Sequence, residues 1–409
     1  MYYRGTSVQD RAKRRALHLN LLEMKVSRDM PRVCILASTL VTGGAERVAQ
    51  ALALGLGQFG LDPITLCLHD PGTIGDELIE QGVPLISNIS SSSRDPLSVP
   101  RLARSLRGKE IDLLFSLDHH NALFMGAAAS KLAGVPSRVL GIHSTGLWGK
   151  KSSFTLSDKL IMPLYSKVIA LSEPHAEYIE RMGLVDRSKI EIIHNGVDIS
   201  RFAPPTTATE RSRLRSVLGL PDGSFIIVIV AALRPEKNHE MLIRSIRALP
   251  EGLRPHLLIA GTGEEEGNLK SLVKEWGLSE NVEFMGNRED VHRVLAASDL
   301  FVLCSHPVVE TMPLSILEAM STGLPVIATR VGSVEEILTD GIHGLVIDPG
   351  DEGELTKSIA RMIEDALRRE EMGRRGRERV VELFSQERMV ASYAGLFRDL
   401  IGADTGDSG

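Results

Sequence analysis

The stretch Ser305-His-Pro-Val-Val-Glu310-Thr-Met-Pro-Leu-Ser-Ile-Leu-Glu318-Ala-Met-Ser-Thr-Gly323-Leu-Pro325-Val-Ile decides the reading of this chain. Pro313 has no N–H to leave unpaired and suits the first turn of a helix. The spacing therefore puts Glu310 in the preceding loop and Glu318 within the helix. Gly323-Leu-Pro325 stops that helix, and the apolar run from Val326 reads as a buried parallel strand. One carboxylate then meets a ligand at the helix N-terminus while the other reaches it from the side. Two solvated helix glutamates would account for the acids, but not for loop, helix, stop and strand in this order.

The same alternation extends outward in both directions, as expected for an α/β chain with parallel sheets covered on both faces. Val33 to Ser38, Ile64 to Leu68, Leu113 to Leu117, Arg138 to Ile142, Val168 to Leu171 and Ile190 to Ile193 are candidate strands of a first domain. Helical patterns separate them, among them Ala45 to Phe59 and Leu123 to Ala133. Asn195-Gly-Val-Asp198 and Phe202-Ala-Pro-Pro205 form a turn-rich break. Strands resume at Phe225 to Ala232, His256 to Ala260, Val282 to Met285, Leu300 to Cys304, Val326 to Ala328 and Gly344 to Ile347. These patterns divide the chain into 1–30, 31–200, 201–385 and a helical tail, 386–409.

A chain of 409 residues exceeds one ordinary core. Its 43% hydrophobic and 24% charged residues are those of a soluble globular protein. The apolar run Phe225 to Leu233 falls far short of the roughly 20 residues that span a bilayer. A net charge of −6 argues against a nucleic-acid partner. Cys34, Cys67 and Cys304 are scattered through apolar runs, which fits a reducing cytoplasm and neither disulfides nor zinc. Residues 1–30 carry seven basic and three acidic side chains. They read as a disordered extension or a start assigned too early, with Met24 or Met30 as the alternative.

Several motifs carry chemistry. Thr42-Gly43-Gly44-Ala-Glu46-Arg47 follows the first strand and opens a helix, where glycines and free N–H groups suit an anion. Arg234-Pro-Glu-Lys237-Asn238 puts two cations at the carboxyl end of a strand, where open α/β sheets bind ligands. They would neutralise a diphosphate leaving group. Gly261-Thr-Gly263 and Gly286-Asn287-Arg288 repeat the strand-then-glycine arrangement. His143 ends another strand, and Asp118-His119-His120 another; either set reads equally as structural.

The Glu310/Glu318 spacing resembles the Glu-x7-Glu signature of retaining glycosyltransferases of family 4, and the resemblance extends over nearly the whole chain after residue 30. It implies a GT-B fold, with two Rossmann-like domains facing each other across a cleft, the first binding acceptor and the second a nucleotide diphosphate sugar. It implies that Arg234 and Lys237 clamp the donor phosphates, that Glu310 lies beside the donor sugar and that Glu318 binds ribose hydroxyls. Gly43, Gly44, Gly263, Thr311, Met312 and Leu314 would line the donor, and Arg288 would mark the nucleobase position. His143 would face the transferred sugar, Asp118 and His119 the acceptor, and the tail helix would cross back to the first domain. Transfer would proceed with retention and without metal or other cofactor; no Asp-x-Asp pair occurs in the sequence. The expected acceptor is a glycan or lipid-linked glycan of the cell envelope.

Two positions depart from the family wording. Thr311 stands where many members have glycine, and Ser333 replaces the second glycine in Val331-Gly332-Ser333. Either could narrow the room around the donor. Arg101, Arg104 and Arg107 share a helical face, read as solvated or as a peripheral contact with anionic membrane. Alternative functions are a sugar-nucleotide epimerase of the same architecture, revealed by product release without acceptor, and a non-catalytic sugar-nucleotide-binding protein. A Rossmann dehydrogenase would need a Gly-x-Gly-x-x-Gly that the first strand lacks.

Overall fold

A computed structural model of the chain describes residues 30–41, 43–92, 95–117, 121–144, 147–148, 151–152, 154–221, 223–307 and 310–406. The basic extension through residue 29, Thr42, Asp118, His119 and His120 lie outside these residues.

The chain runs through β1 (Arg32–Ala37), β2 (Asp62–Cys67), β3 (Leu85–Ile86), β4 (Leu113–Leu117) and β5 (Ser137–Gly141). A short antiparallel pair, β6 (Leu147–Trp148) and β7 (Lys151–Ser152), precedes β8 (Lys167–Ala170) and β9 (Ile190–Ile192). Then come β10 (Ile226–Val230), β11 (His256–Ala260), β12 (Val282–Gly286), β13 (Leu300–Leu303), β14 (Val326–Thr329) and β15 (Gly344–Ile347). They form two large sheets, ordered β3-β2-β1-β4-β5-β8-β9 and β12-β11-β10-β13-β14-β15. In each, the order reverses beside the first strand, which makes the β1/β4 and β10/β13 junctions topological switch points.

The second sheet shows why these residues form strands. β10 is Ile-Ile-Val-Ile-Val, and its side chains alternate between two cores: Ile226 and Val228 on one face, Ile227 and Ile229 on the other. Each such burial is worth about 1.5–3 kcal/mol, so a central strand buried on both faces reads as continuous apolar sequence. β10 pairs in parallel with β11 on one side and with β13 on the other, Ile227 opposite Leu257 and Leu300.

The chain divides into two compact units. One comprises the described residues up to Gly141, with Ile161–Lys167 and those from Tyr393 on; the other comprises Ile142–Leu160 and Val168–Ser392. The tail forms one helix, Gln386–Gly406, whose Tyr393 and Phe397 rings lie 5.4 and 5.6 Å from that of Phe115 in the first unit.

Three details differ from the sequence reading. The pattern Ala45 to Phe59 is an α-helix over Gly44–Gly55 and a 3-10 turn over Leu56–Phe59, closed by Gly60 at φ 74. β3, β6 and β7 escape the pattern because two residues show no periodicity. Pro313 precedes its helix rather than entering it: its ψ is 113, extended, and its carbonyl accepts from the Ile316 N–H at 3.2 Å.

Candidate active site

The loops after β10 and β13 leave neighbouring strands at a switch point, where α/β sheets present ligand sites. After β10, Arg234 is extended, as the residue before proline must be. A 3-10 turn, Pro235–Lys237, follows and ends on Asn238 at φ 50, a left-handed conformation that asparagine tolerates. That turn lifts Lys237 toward the β13 loop. The His306 N–H donates to the Glu236 carbonyl at 2.8 Å, joining the two loops.

Lys237 and Glu310 meet there, with Nζ to Oε1 at 2.5 Å. Ser305 donates its hydroxyl to the same carboxylate oxygen at 2.5 Å. Glu310 is buried and Lys237 largely so, with side-chain exposures of 7% and 20%. These two contacts replace the water that burial takes from the carboxylate. Arg234 stays more open, its guanidinium 4.0 Å from Glu236. His239, two residues beyond Lys237 at the start of the next helix, is buried and held neutral, its pKa pulled down to about 4 by burial and by neighbouring Lys237. It therefore adds no charge to the cluster near neutral pH.

The helix Leu314–Ser321 begins just beyond Glu310 and offers unpaired N–H groups and a positive dipole end. Leu314 and Glu318, four residues apart, occupy the same half-exposed face. Met312 sends its side chain into the core instead, leaving only its backbone for a ligand. Gly263, after β11, packs so closely on the Leu233 backbone that a Cβ would overlap it. Arg288 engages Asp290 through Nε and Nη2 at 2.8 and 2.7 Å, so its guanidinium is already committed. His143 is half-buried, two residues past β5, and its carbonyl accepts from the Thr311 hydroxyl at 3.1 Å. Gly43 and Gly44 belong to the first unit, at the start of the helix Gly44–Gly55. Gly43 is extended at φ 176, and its missing Cβ leaves room for the Glu46 carboxylate.

Several residues that matter here escaped the sequence reading. Asn195 donates through Nδ2 to the Met312 carbonyl at 3.0 Å, and its N–H contacts the Met312 sulfur at 3.2 Å. Ser305 was visible inside the quoted stretch but carried no distinguishing pattern. His175 is buried and accepts the Leu171 N–H at Nδ1, 3.2 Å away. Burial and the adjacent His143 lower its pKa to about 3. Glu336 receives the Glu173 N–H at 3.0 Å and lies 3.3 Å from His194 Nε2.

Comparison with known proteins places this arrangement. Residues 210–379 match the family model for glycosyl transferases group 1, and residues 42–201 that for glycosyltransferase family 4. A GDP-mannose-dependent monoacylated alpha-(1-6)-phosphatidylinositol monomannoside mannosyltransferase of Corynebacterium glutamicum is 30% identical over 72% of this chain and 78% of its own length. A UDP-Gal:alpha-D-GlcNAc-diphosphoundecaprenol alpha-1,3-galactosyltransferase of Escherichia coli is 29% identical over 83% and 89%. Among solved structures, Anabaena HepE in complex with UDP-glucose superposes with a TM-score of 0.78 at 24% identity, covering 91% of this chain and 99% of that one. Sucrose-phosphate synthase of Thermosynechococcus elongatus gives 0.76 at 21%, covering 91% and 100%.

The two Rossmann-like parallel sheets have the GT-B fold, and the family matches make the chain a glycosyltransferase. The chain belongs to glycosyltransferase family 4.

Proposed function

We propose that the protein transfers a sugar, with retention of anomeric configuration, from a nucleotide diphosphate sugar to a glycan or lipid-linked acceptor in envelope polysaccharide assembly. The observation that carries this reading is the Lys237–Glu310 contact at the β10/β13 switch point, beside a helix N-terminus. Arg234 and Lys237 bind the diphosphate and stabilise the charge that develops on it as the glycosidic bond breaks. The Leu314–Ser321 dipole adds to that stabilisation. These groups supply the positive charge, so the chemistry runs without metal or other cofactor. Glu310, freed from Lys237 when the phosphates take the cation, orients the sugar hydroxyls. Glu318 holds the ribose, and His143 shields the cationic anomeric centre. The relatives' names, among them a galactosyltransferase acting on a diphosphoundecaprenol-linked sugar and a phosphatidylinositol mannoside mannosyltransferase, favour envelope acceptors and leave uridine and guanosine donors open.

Thermal-shift titration with uridine, guanosine and adenosine diphosphates identifies the base, because a ligand that binds only the folded state raises its midpoint. Product analysis with the matching sugar donor then follows. Loss of turnover in Glu310→Ala, with nucleotide binding kept, is the expected outcome; full turnover in that variant would overturn the reading. Free sugar-nucleotide products without acceptor would mark an epimerase instead.

The proposal includes a peripheral contact with anionic lipid. No helix among the described residues is long and apolar enough to cross a membrane. Arg101, Arg104 and Arg107 are exposed on the helix Ser98–Gly108, whose Leu102, Ala103 and Leu106 are buried. Arg101 also pairs with Asp95 at 2.7 Å, and Arg107 donates to the Leu132 carbonyl at 2.6 Å. Equal sedimentation with anionic and neutral vesicles would remove this part.

A further inference from the structure

His175 has two ring nitrogens, and local structure uses one of them. The residue stands in the first turn of the helix Glu173–Arg181, where the capping Ser172 hydroxyl accepts the His175 N–H at 3.2 Å. Its ring turns back so that Nδ1 accepts the Leu171 N–H at 3.2 Å. A neutral imidazole that accepts at Nδ1 carries its hydrogen on Nε2. That nitrogen is buried, in a residue 4% exposed, and has no hydrogen-bond partner among the described residues. An idle buried donor is costly and calls for an explanation. Capping accounts for Nδ1 alone, since an asparagine oxygen could accept from Leu171 as well.

The sheet decides what faces the second nitrogen. β5 and β8 are neighbours, and just past β5 the Ile142 N–H donates to the Ile169 carbonyl at 3.1 Å. His143 and Ser144 thus leave one strand beside Leu171 and Ser172, which leave the other. Burial, with His143 beside it, holds the His175 ring at about 3, against an opposing pull from the Ser144 backbone. A pull toward the protonated ring is that of an acceptor, which on the backbone is the carbonyl. His143 is tied on another side, its carbonyl accepting from the Thr311 hydroxyl at 3.1 Å. Thr311 is itself held, since Ser333 gives both its N–H and its hydroxyl to the Thr311 carbonyl. A neutral His175 places no second positive charge behind a residue that meets a cationic sugar centre.

We propose that His175 is a positioning residue for His143, its Nε2–H closing onto the Ser144 carbonyl and fixing the His143–Ser144 segment when the transferred sugar presses on it. The inference rests on the reading of His143 as the residue that faces this sugar.

Asparagine and glutamine separate the two nitrogens. The asparagine oxygen takes the place of Nδ1, and the glutamine amide nitrogen that of Nε2. Wild type, His175→Asn, His175→Gln, His143→Ala and the His143→Ala/His175→Asn double variant are compared by nucleoside diphosphate release from uridine and guanosine diphosphate hexoses and 2-acetamidohexoses, and by thermal midpoint. His175→Asn should keep the midpoint and the donor KM while kcat falls about tenfold or more, the scale of a misplaced group. His175→Gln should lower the midpoint, having lost the Leu171 bond, yet recover most of kcat. In the His143→Ala protein, His175→Asn should lower kcat by no more than about twofold, because its effect runs through His143. Wild-type kcat in His175→Asn, a glutamine variant no more active than the asparagine one, or an undiminished effect without His143 overturns the inference and leaves transferase activity standing. Should the asparagine protein not fold, the glutamine protein decides alone, and a kcat lowered about tenfold or more there overturns the inference. Full kcat in His143→Ala refutes instead the role of His143 on which the inference rests, and a wild type that turns over none of the donors refutes the functional reading.

Discussion

Replacing Lys237 by methionine removes the cation from the Glu310 carboxylate while keeping most of the aliphatic stem. Removing one partner from a fully buried ion pair costs about 3–5 kcal/mol, whereas an exposed pair contributes about 0.2–1 kcal/mol. With Glu310 7% and Lys237 20% exposed, the contact lies toward the buried end. Ser305 still donates to the stranded oxygen. The expected loss is therefore about 2–3 kcal/mol, or roughly 5–10 °C in melting temperature for a unit of this size. Adding Glu310→Gln removes the unpaired charge, so the double variant should recover about half of that loss. Urea denaturation of wild type, both singles and the double measures the coupling. Turnover should be severely reduced in all three variants, because the proposed phosphate clamp is gone in two of them and the sugar contact in the third. Additive stabilities within about 0.5 kcal/mol would refute the reasoning, since the pair would then contribute no more than a surface contact.

Three further outcomes are expected. Gly332→Ala must place a Cβ against the Glu310 carbonyl at φ 54; the left-handed backbone alone costs about 1–2 kcal/mol, and kcat/KM should fall more than the nucleotide affinity measured by calorimetry. Asn195→Ala leaves the buried Met312 carbonyl without its amide donor, a loss of about 1–3 kcal/mol that chemical denaturation would register. Stability should decline as pH drops from 6.5 toward 4, because burial holds His175 at about 3 and His239 at about 4, both below the ordinary 6.5. The unfolded chain takes up these protons in that window and the folded chain does not. Each histidine thus contributes about 1.4 kcal/mol per pH unit there, fully present above 6.5 and lost as pH falls. His239→Gln and His175→Gln should flatten the melting-temperature profile between pH 7 and 5.

The strands were legible where apolar side chains run unbroken. β11 and β15 have the bounds that the residues suggest, and β10 is shorter by one residue at its start and two at its end. Lys237 and Glu310 were legible as chemistry because charged residues in the loops that follow such strands stand out against apolar sequence. Their mutual contact was not, because it depends on β10 and β13 being neighbours while the chain places β11 and β12 between them. Asn195 read as part of a turn, since its partner Met312 lies 117 residues away. Thr311 and Ser333 were each noticed as substitutions of a pattern. Nothing along the chain announced that one hydroxyl bonds the other residue's carbonyl. Met312 packs its side chain into the core, a placement its sequence neighbourhood beside a charged loop does not announce.

The position of β10 at the centre of its sheet has a consequence for biosynthesis. On the ribosome β10 is the first strand of its sheet to emerge and can pair with β11, yet its other edge must wait for Leu300–Leu303. Until some seventy further residues are translated, a β-branched edge stands open to a neighbouring polypeptide. Nascent chains truncated before residue 300 should bind holdase chaperones strongly, and those extending past β14 should be released.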